Sequence, residues 1–262
     1  MKHKLVILFS SFTVMFFGAI NANATSVVLS DVPAYKWYHG CGPTAAASVV
    51  GYYDLNGYDA LFNASGWDDV KLTSNVKDEI SSPAHNSKYD SASDNPGLDH
   101  PPDTSIADFF HTSEGIPYGW SYLRYADDTF KDYASYRGYD DWDAWNESFA
   151  SGAFTWEDFT NEIDNGRPMM FLVDTDANGG TDHFVPVFGY DEETMKYACY
   201  TTWSENETIS WRSFQGMGNS WGIGYATFVL PGAPDSVPEP ATIIFFCVGL
   251  TGLAGMSRKK KI

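Results

Sequence analysis

One run constrains this chain more than any other: Trp37-Tyr38-His39-Gly40-Cys41-Gly42-Pro43-Thr44-Ala45-Ala46-Ala47-Ser48-Val49-Val50. A small-residue turn passes straight into an alanine-rich segment. Pro43 suits the first helical turn, where its missing N–H costs nothing. The alanines propagate a helix better than Val49 and Val50 do. Cys41 is therefore expected at a helix N-terminus, where unpaired N–H groups and the helix dipole stabilise an anion and lower a thiol pKa. The flanking glycines leave room for a substrate backbone. An ordinary small buried cysteine, or one half of a disulfide, is the competing reading.

The 262 residues contain three cysteines, Cys41, Cys199 and Cys247, so a Cys41–Cys199 disulfide is the direct competitor. Cys199 lies in the alternating, strand-like segment Tyr197–Trp203.

The two ends read as targeting segments. Lys2 and Lys4 precede an apolar run from Leu5 to Ile20, and Ala22-Asn23-Ala24 follows as a cleavage pattern. Residues 1–24 are therefore expected to be a secretory signal peptide. At the other end, Val237-Pro238-Glu239-Pro240 leads into the apolar stretch Ala241–Met256 and the basic cluster Arg258–Lys261. That order resembles the bacterial Pro-Glu-Pro C-terminal (PEP-CTERM) sorting signal. The resemblance implies an exosortase-type membrane peptidase as partner and transient membrane association through residues 237–262. It also implies export to the periplasm, cell surface or medium of a Gram-negative-type bacterium. A plain tail anchor is the alternative, although the apolar stretch is short for a span.

Residues 25–236 are expected to form one domain. Removing the six basic residues and one acidic residue of the two ends from the chain's 16 and 34 leaves 10 and 33, a net charge of −23. Such a surface repels nucleic acid and anionic lipid, so no nucleic-acid partner is expected.

Within the domain, residues 55–80 carry no clear pattern. Ser81–Asp103, with four prolines, reads as a surface loop; its His85, Asp99, His100 and Asp103 show no metal-ligand spacing. Thr104–Thr112 suggests a short helix. Tyr118–Trp156 is densely aromatic and reads either as a packed helical subdomain or as a groove wall for sugars or peptide side chains. Thr155 opens a helix that Asn165-Gly166 ends, and Pro168–Val173 follows as a buried strand. Asp174–Asp182 imitates the start of a calcium loop, but Val185 stands where the bidentate Glu belongs, and a hairpin turn explains the same residues. No cofactor or metal is expected.

His183 opens the apolar strand His183-Phe184-Val185-Pro186-Val187-Phe188-Gly189-Tyr190-Asp191. Gly-Cys-Gly-Pro-Thr-Ala before Gly-Tyr-Tyr-Asp, with a strand-opening histidine far downstream, resembles the papain-like cysteine peptidases. The nearest branch includes the bacteriocin-leader (double-glycine) peptidases. The resemblance implies an α+β fold in which a nucleophile helix packs on an antiparallel sheet. It implies thiol-dependent peptide hydrolysis with Cys41 as nucleophile and His183 as base. Leader processing itself is not expected, because that work is done beside a transporter on the cytoplasmic side.

Two features depart from the family pattern. For the residue that orients the histidine, Thr201 has the family spacing, whereas Asn219 in Asn219-Ser220-Trp221-Gly222 has the papain-type letters but stands 36 positions after His183. Asn219 is preferred. The family's oxyanion glutamine is replaced by Tyr35, so an N–H of Tyr35, Trp37, Tyr38 or His39 would have to serve beside that of Cys41. A catalytically silent peptide- or glycan-binding surface module, and a transglutaminase- or amidase-type acyl transferase, are the alternatives.

Overall fold

The computed structural model describes residues 26–89 and 102–234. The expected signal peptide, the expected sorting tail, Pro96, Asp99, His100 and Pro101 lie outside the described residues.

The strands are β1 (Ser26–Val28), β2 (Asp143–Ser148), β3 (Met169–Asp174), β4 (His183–Asp191), β5 (Lys196–Cys199), β6 (Ser210–Ser213) and β7 (Gly222–Leu230). All pair antiparallel in one sheet of order β2-β7-β3-β4-β5-β6, with β1 also pairing β4. The helices are α1 (Cys41–Leu55), α2 (Trp67–Val70), α3 (Thr73–Ile80), α4 (Pro83–Lys88), α5 (Ile106–Phe109), α6 (Ala126–Tyr136) and α7 (Trp156–Asp164). The expected α+β class, with the cysteine helix on an antiparallel sheet, is what forms.

The sheet is apolar on both faces, which is why β3 and β4 read as continuous hydrophobic runs rather than as alternating ones. Met170, Phe184 and Phe188 join the core that holds Ala45, Ala46, Val49 and Val50 of α1. Met169, Phe171, Val185 and Val187 point to the opposite face, where Phe159 and Ile163 of α7 cover them. Every residue of α1 from Gly42 to Asp54 is buried. An all-round buried helix needs small side chains to approach its neighbours, and the alanines supply them.

Several expectations take their anticipated form. Thr155 caps α7 through Asp158 N–H while the Asp158 carboxylate returns to the Thr155 N–H, a reciprocal capping box. β3 and β4 form the hairpin, with Val173 opposite His183.

Others are corrected. The described part of the expected 81–103 loop carries α4, started by the Ser82 hydroxyl on the His85 N–H and by Pro83 at its first turn. His85 is wholly buried there rather than exposed. Residues 67–80 form α2 and α3, held by the buried Val70, Val76 and Ile80. The aromatic region divides: Phe130 and Tyr133 of α6 enter the core, while residues 143–148 become the edge strand β2 along β7.

Candidate active site

Cys41 is the first residue of α1 and His183 the first of β4, and the two line one cavity of about 480 Å³. Among the described residues both cysteines are free thiols, so Cys41 is not tied to Cys199, which is buried with its sulfur against the Ser210 carbonyl.

Local geometry explains the helix start. Gly40 occupies the cap at φ 150°, and a Cβ there would lie 2.8 Å from the Gly119 carbonyl oxygen. No side chain caps the helix, so its first N–H groups remain for other use. Those of Cys41 and Gly42, together with the N–H of Phe184, lie near enough to the Cys41 sulfur to favour its thiolate form. The sulfur therefore rests between the tip of α1 and the start of β4.

These donors favour the thiolate, yet burial outweighs them, and the nearby Asp182 carboxylate works in the same direction as burial. The net effect holds the Cys41 thiol above its ordinary value, opposite to the shift expected from the helix end alone. Burial thus favours the protonated thiol over a preformed thiolate.

His183 is 7% exposed. Its Nε2 lies 2.7 Å from the Thr201 carbonyl oxygen and 3.4 Å from the Thr202 hydroxyl. A carbonyl only accepts, so Nε2 carries the hydrogen and Nδ1 keeps its lone pair. Burial lowers the imidazole pKa, against smaller opposing contributions from the Thr201 carbonyl and Asp182. The ring is neutral at pH 7, flanked by Trp203 at 5.4 Å and by the edge of Trp221 at 6.1 Å between centroids.

Asn219 is not brought to this ring. It is exposed in the turn before β7, where its Nδ2 donates to the Gly216 carbonyl at 3.0 Å and its own carbonyl accepts from Gly222. The turn uses the asparagine for itself. Thr201 does reach His183, through its main-chain oxygen; its hydroxyl instead meets Glu207 at 2.6 Å.

The position of the absent glutamine is equally clear. Tyr35 is fully buried and its hydroxyl donates to the Val70 carbonyl at 2.6 Å, so the side chain offers nothing to the cleft. The Trp37 N–H is taken by the Thr202 carbonyl and that of Tyr38 by the Thr44 hydroxyl. A group missed in the sequence stands nearer. Ser121 lines the cavity, and its Oγ would lie 2.6 Å from a Cβ placed on Gly42. Thr112 Oγ1 holds Ser121 Oγ at 2.7 Å.

Behind this wall lies a second unanticipated cluster. His85 Nδ1 meets the Asp108 carboxylate at 2.7 Å, and Nε2 meets the Thr112 carbonyl at 2.9 Å. The Asp108 carboxylate and the Thr112 main chain are thus bridged by His85. His39 packs edge-on to it at 4.8 Å between centroids. Burial first, and then the neighbouring His85, pull its pKa down to about 4. The cluster braces the segment between Thr112 and Ser121.

The Asp-x-Asp-x-Asn-Gly loop is a self-bonded turn. The Asp174 carboxylate accepts from the N–H groups of Asn178, Gly179 and Gly218, and that of Asp182 from the Thr175 N–H and hydroxyl. Its oxygens are engaged with protein donors, as a hairpin connection requires.

Comparison with known families accords with this geometry. A family model described as Peptidase_C39 like family matches residues 29–224. A second, the PEP-CTERM protein-sorting motif, matches residues 236–261 and implies exosortase-mediated sorting and export. No curated protein matches the chain.

Proposed function

Because the chain belongs to the Peptidase_C39 like family of papain-like cysteine peptidases, we propose that it is an exported thiol peptidase that cleaves peptide bonds. The observation that carries the reading is that Cys41, at the tip of α1, and His183, at the start of β4, line one cavity.

The reaction starts from a neutral pair. As substrate enters, His183 Nδ1 accepts the Cys41 proton and the thiolate adds to the scissile carbonyl carbon. The oxygen that becomes negative is met by the Cys41 N–H at the helix tip and by the Ser121 hydroxyl, which stands in for the missing glutamine. The tetrahedral adduct collapses, the imidazolium protonates the leaving amine, and an acyl-thioester remains on Cys41. Water, deprotonated by the same imidazole, then releases the acid and the thiol. Asn219 has no part in these steps.

Acid-quenching the enzyme with a mixed peptide pool should leave an acyl adduct on the Cys41 tryptic peptide, detected by mass spectrometry. Cleavage without any such adduct in wild type, and undiminished in Cys41→Ser, would remove the thiol mechanism.

A second reading has its own support. Trp120 and Trp203, 54% and 55% exposed, stand on the rim of the same cavity with Tyr118 and Tyr122. Such a rim serves stacking on a peptide or glycan, and a raised thiol pKa is what a silent binding module would retain. Peptides or glycans that change tryptophan fluorescence while remaining uncut would favour the module. Incorporation of an added amine into product would instead favour an acyl transferase.

A further inference from the structure

The residue that orients the imidazole in this chain has no side-chain letter, because the acceptor is a main-chain oxygen. A lone carbonyl on a turn is a poor orienter unless the peptide that carries it is held. Here it is held from both sides. The 201–202 peptide presents its C=O to His183 Nε2 at 2.7 Å, and its N–H, from Thr202, to Glu207 Oε1 at 3.3 Å. The same carboxylate also accepts from the Thr201 N–H and, at 2.6 Å, from the Thr201 hydroxyl. Thr202 sits at φ 64° and is wholly buried, a conformation that a β-branched residue keeps only when its surroundings impose it. Its carbonyl accepts from the Trp37 N–H at 2.6 Å, which ties the turn to the segment leading to Cys41.

We infer that Glu207 is the positioning residue of the site, acting on His183 through the 201–202 peptide in the role expected of Asn219. The inference rests on His183 being the base. Its physical content is a chain of carboxylate, amide and imidazole. A carboxylate accepting from an amide N–H polarises that amide and makes its carbonyl a stronger acceptor. The carbonyl then fixes the Nε2–H tautomer and stabilises the imidazolium that forms when Cys41 gives up its proton. Outer partners of metal-bound histidines cost about 10- to 100-fold in activity when lost, and an effect of that order is expected here.

The test reads His183 directly, without substrate. In 15N-histidine spectra, with the resonance assigned by its loss in His183→Gln, wild type should show the Nε2–H form and one titration step. Glu207→Ala should mix the two tautomers and lower the midpoint, with kcat down about 10- to 100-fold and KM within about threefold. Glu207→Gln keeps an acceptor for the Thr202 N–H but no charge, so it should hold the tautomer and still lower the midpoint. A natively folded Glu207→Ala with His183 tautomer and midpoint as in wild type would overturn the inference. Should that variant fail to fold, an unchanged midpoint in Glu207→Gln overturns it equally. Neither result depends on peptide cleavage, so a failure of the peptidase reading, seen in Cys41→Ser, is separately visible.

Discussion

Cys41 and His183 start from the neutral forms, and the pH dependence follows. Burial holds the histidine below 6.5 and the thiol above 9.0. Protonating His183 removes the acceptor for the thiol proton, so kcat/KM should fall only as pH drops through a value below 6.5. Ionising Cys41 independently requires pH above 9.0, so the alkaline side stays flat until then. Alkylation by iodoacetamide should accordingly rise about tenfold per pH unit from pH 5 to 8, following the thiolate fraction. A plateau across that range would mean a preformed thiolate–imidazolium pair and would contradict the neutral start. At this scale the two side chains of the proposed pair were legible as neighbours of one cavity, because each sits in a short local pattern: a small-residue turn before alanines, and a histidine opening an apolar strand. Their supports were not. Thr201 acts through its backbone, which no residue type announces, while Ser121 and Glu207 reach their places by tertiary folding alone. Asn219 misled because its tetrad makes an equally good turn.

Among elements, α1 is the one the proposed mechanism uses, because its tip is uncapped and closely approached. An alanine methyl at Gly42 would come 2.6 Å from Ser121 Oγ and 3.0 Å from the Phe110 ring. Gly42→Ala should push the Ser121 segment away from the helix tip. Overpacking of this kind typically costs about 1–3 kcal/mol. The expected outcome is a urea midpoint lowered accordingly and a kcat/KM reduced well beyond what residual unfolding explains. Normal turnover in that variant would count against Ser121 as oxyanion donor. Elements with strong local signals were readable: α1 by its alanines, α7 by its capping box, β3 and β4 by their apolar runs. The short α2, α3 and α4 were not, since four to eight residues give little periodicity and their buried residues are fixed only by tertiary packing. β2 escaped notice because Asp143, Asn146 and Glu147 are poor strand formers within a stretch read as a helical subdomain or groove wall, and only pairing with β7 makes them a strand.

For the whole molecule, a strongly acidic chain with a sorting motif folds as one antiparallel sheet between two apolar layers, and one cavity receives both reactive groups. Charge and the C-terminal sorting motif needed no structure to read, since they depend on composition and order along the chain. The strand order could not be read, because β7 inserts between β2 and β3 by contacts distant in sequence. The most direct measurement is turnover of a quenched-fluorescent peptide library by wild type, Cys41→Ser and His183→Ala, each shown by circular dichroism to be folded. Cleavage by wild type with at least a thousandfold loss in both variants is the expected result. Comparable cleavage by either variant would contradict catalysis by this pair.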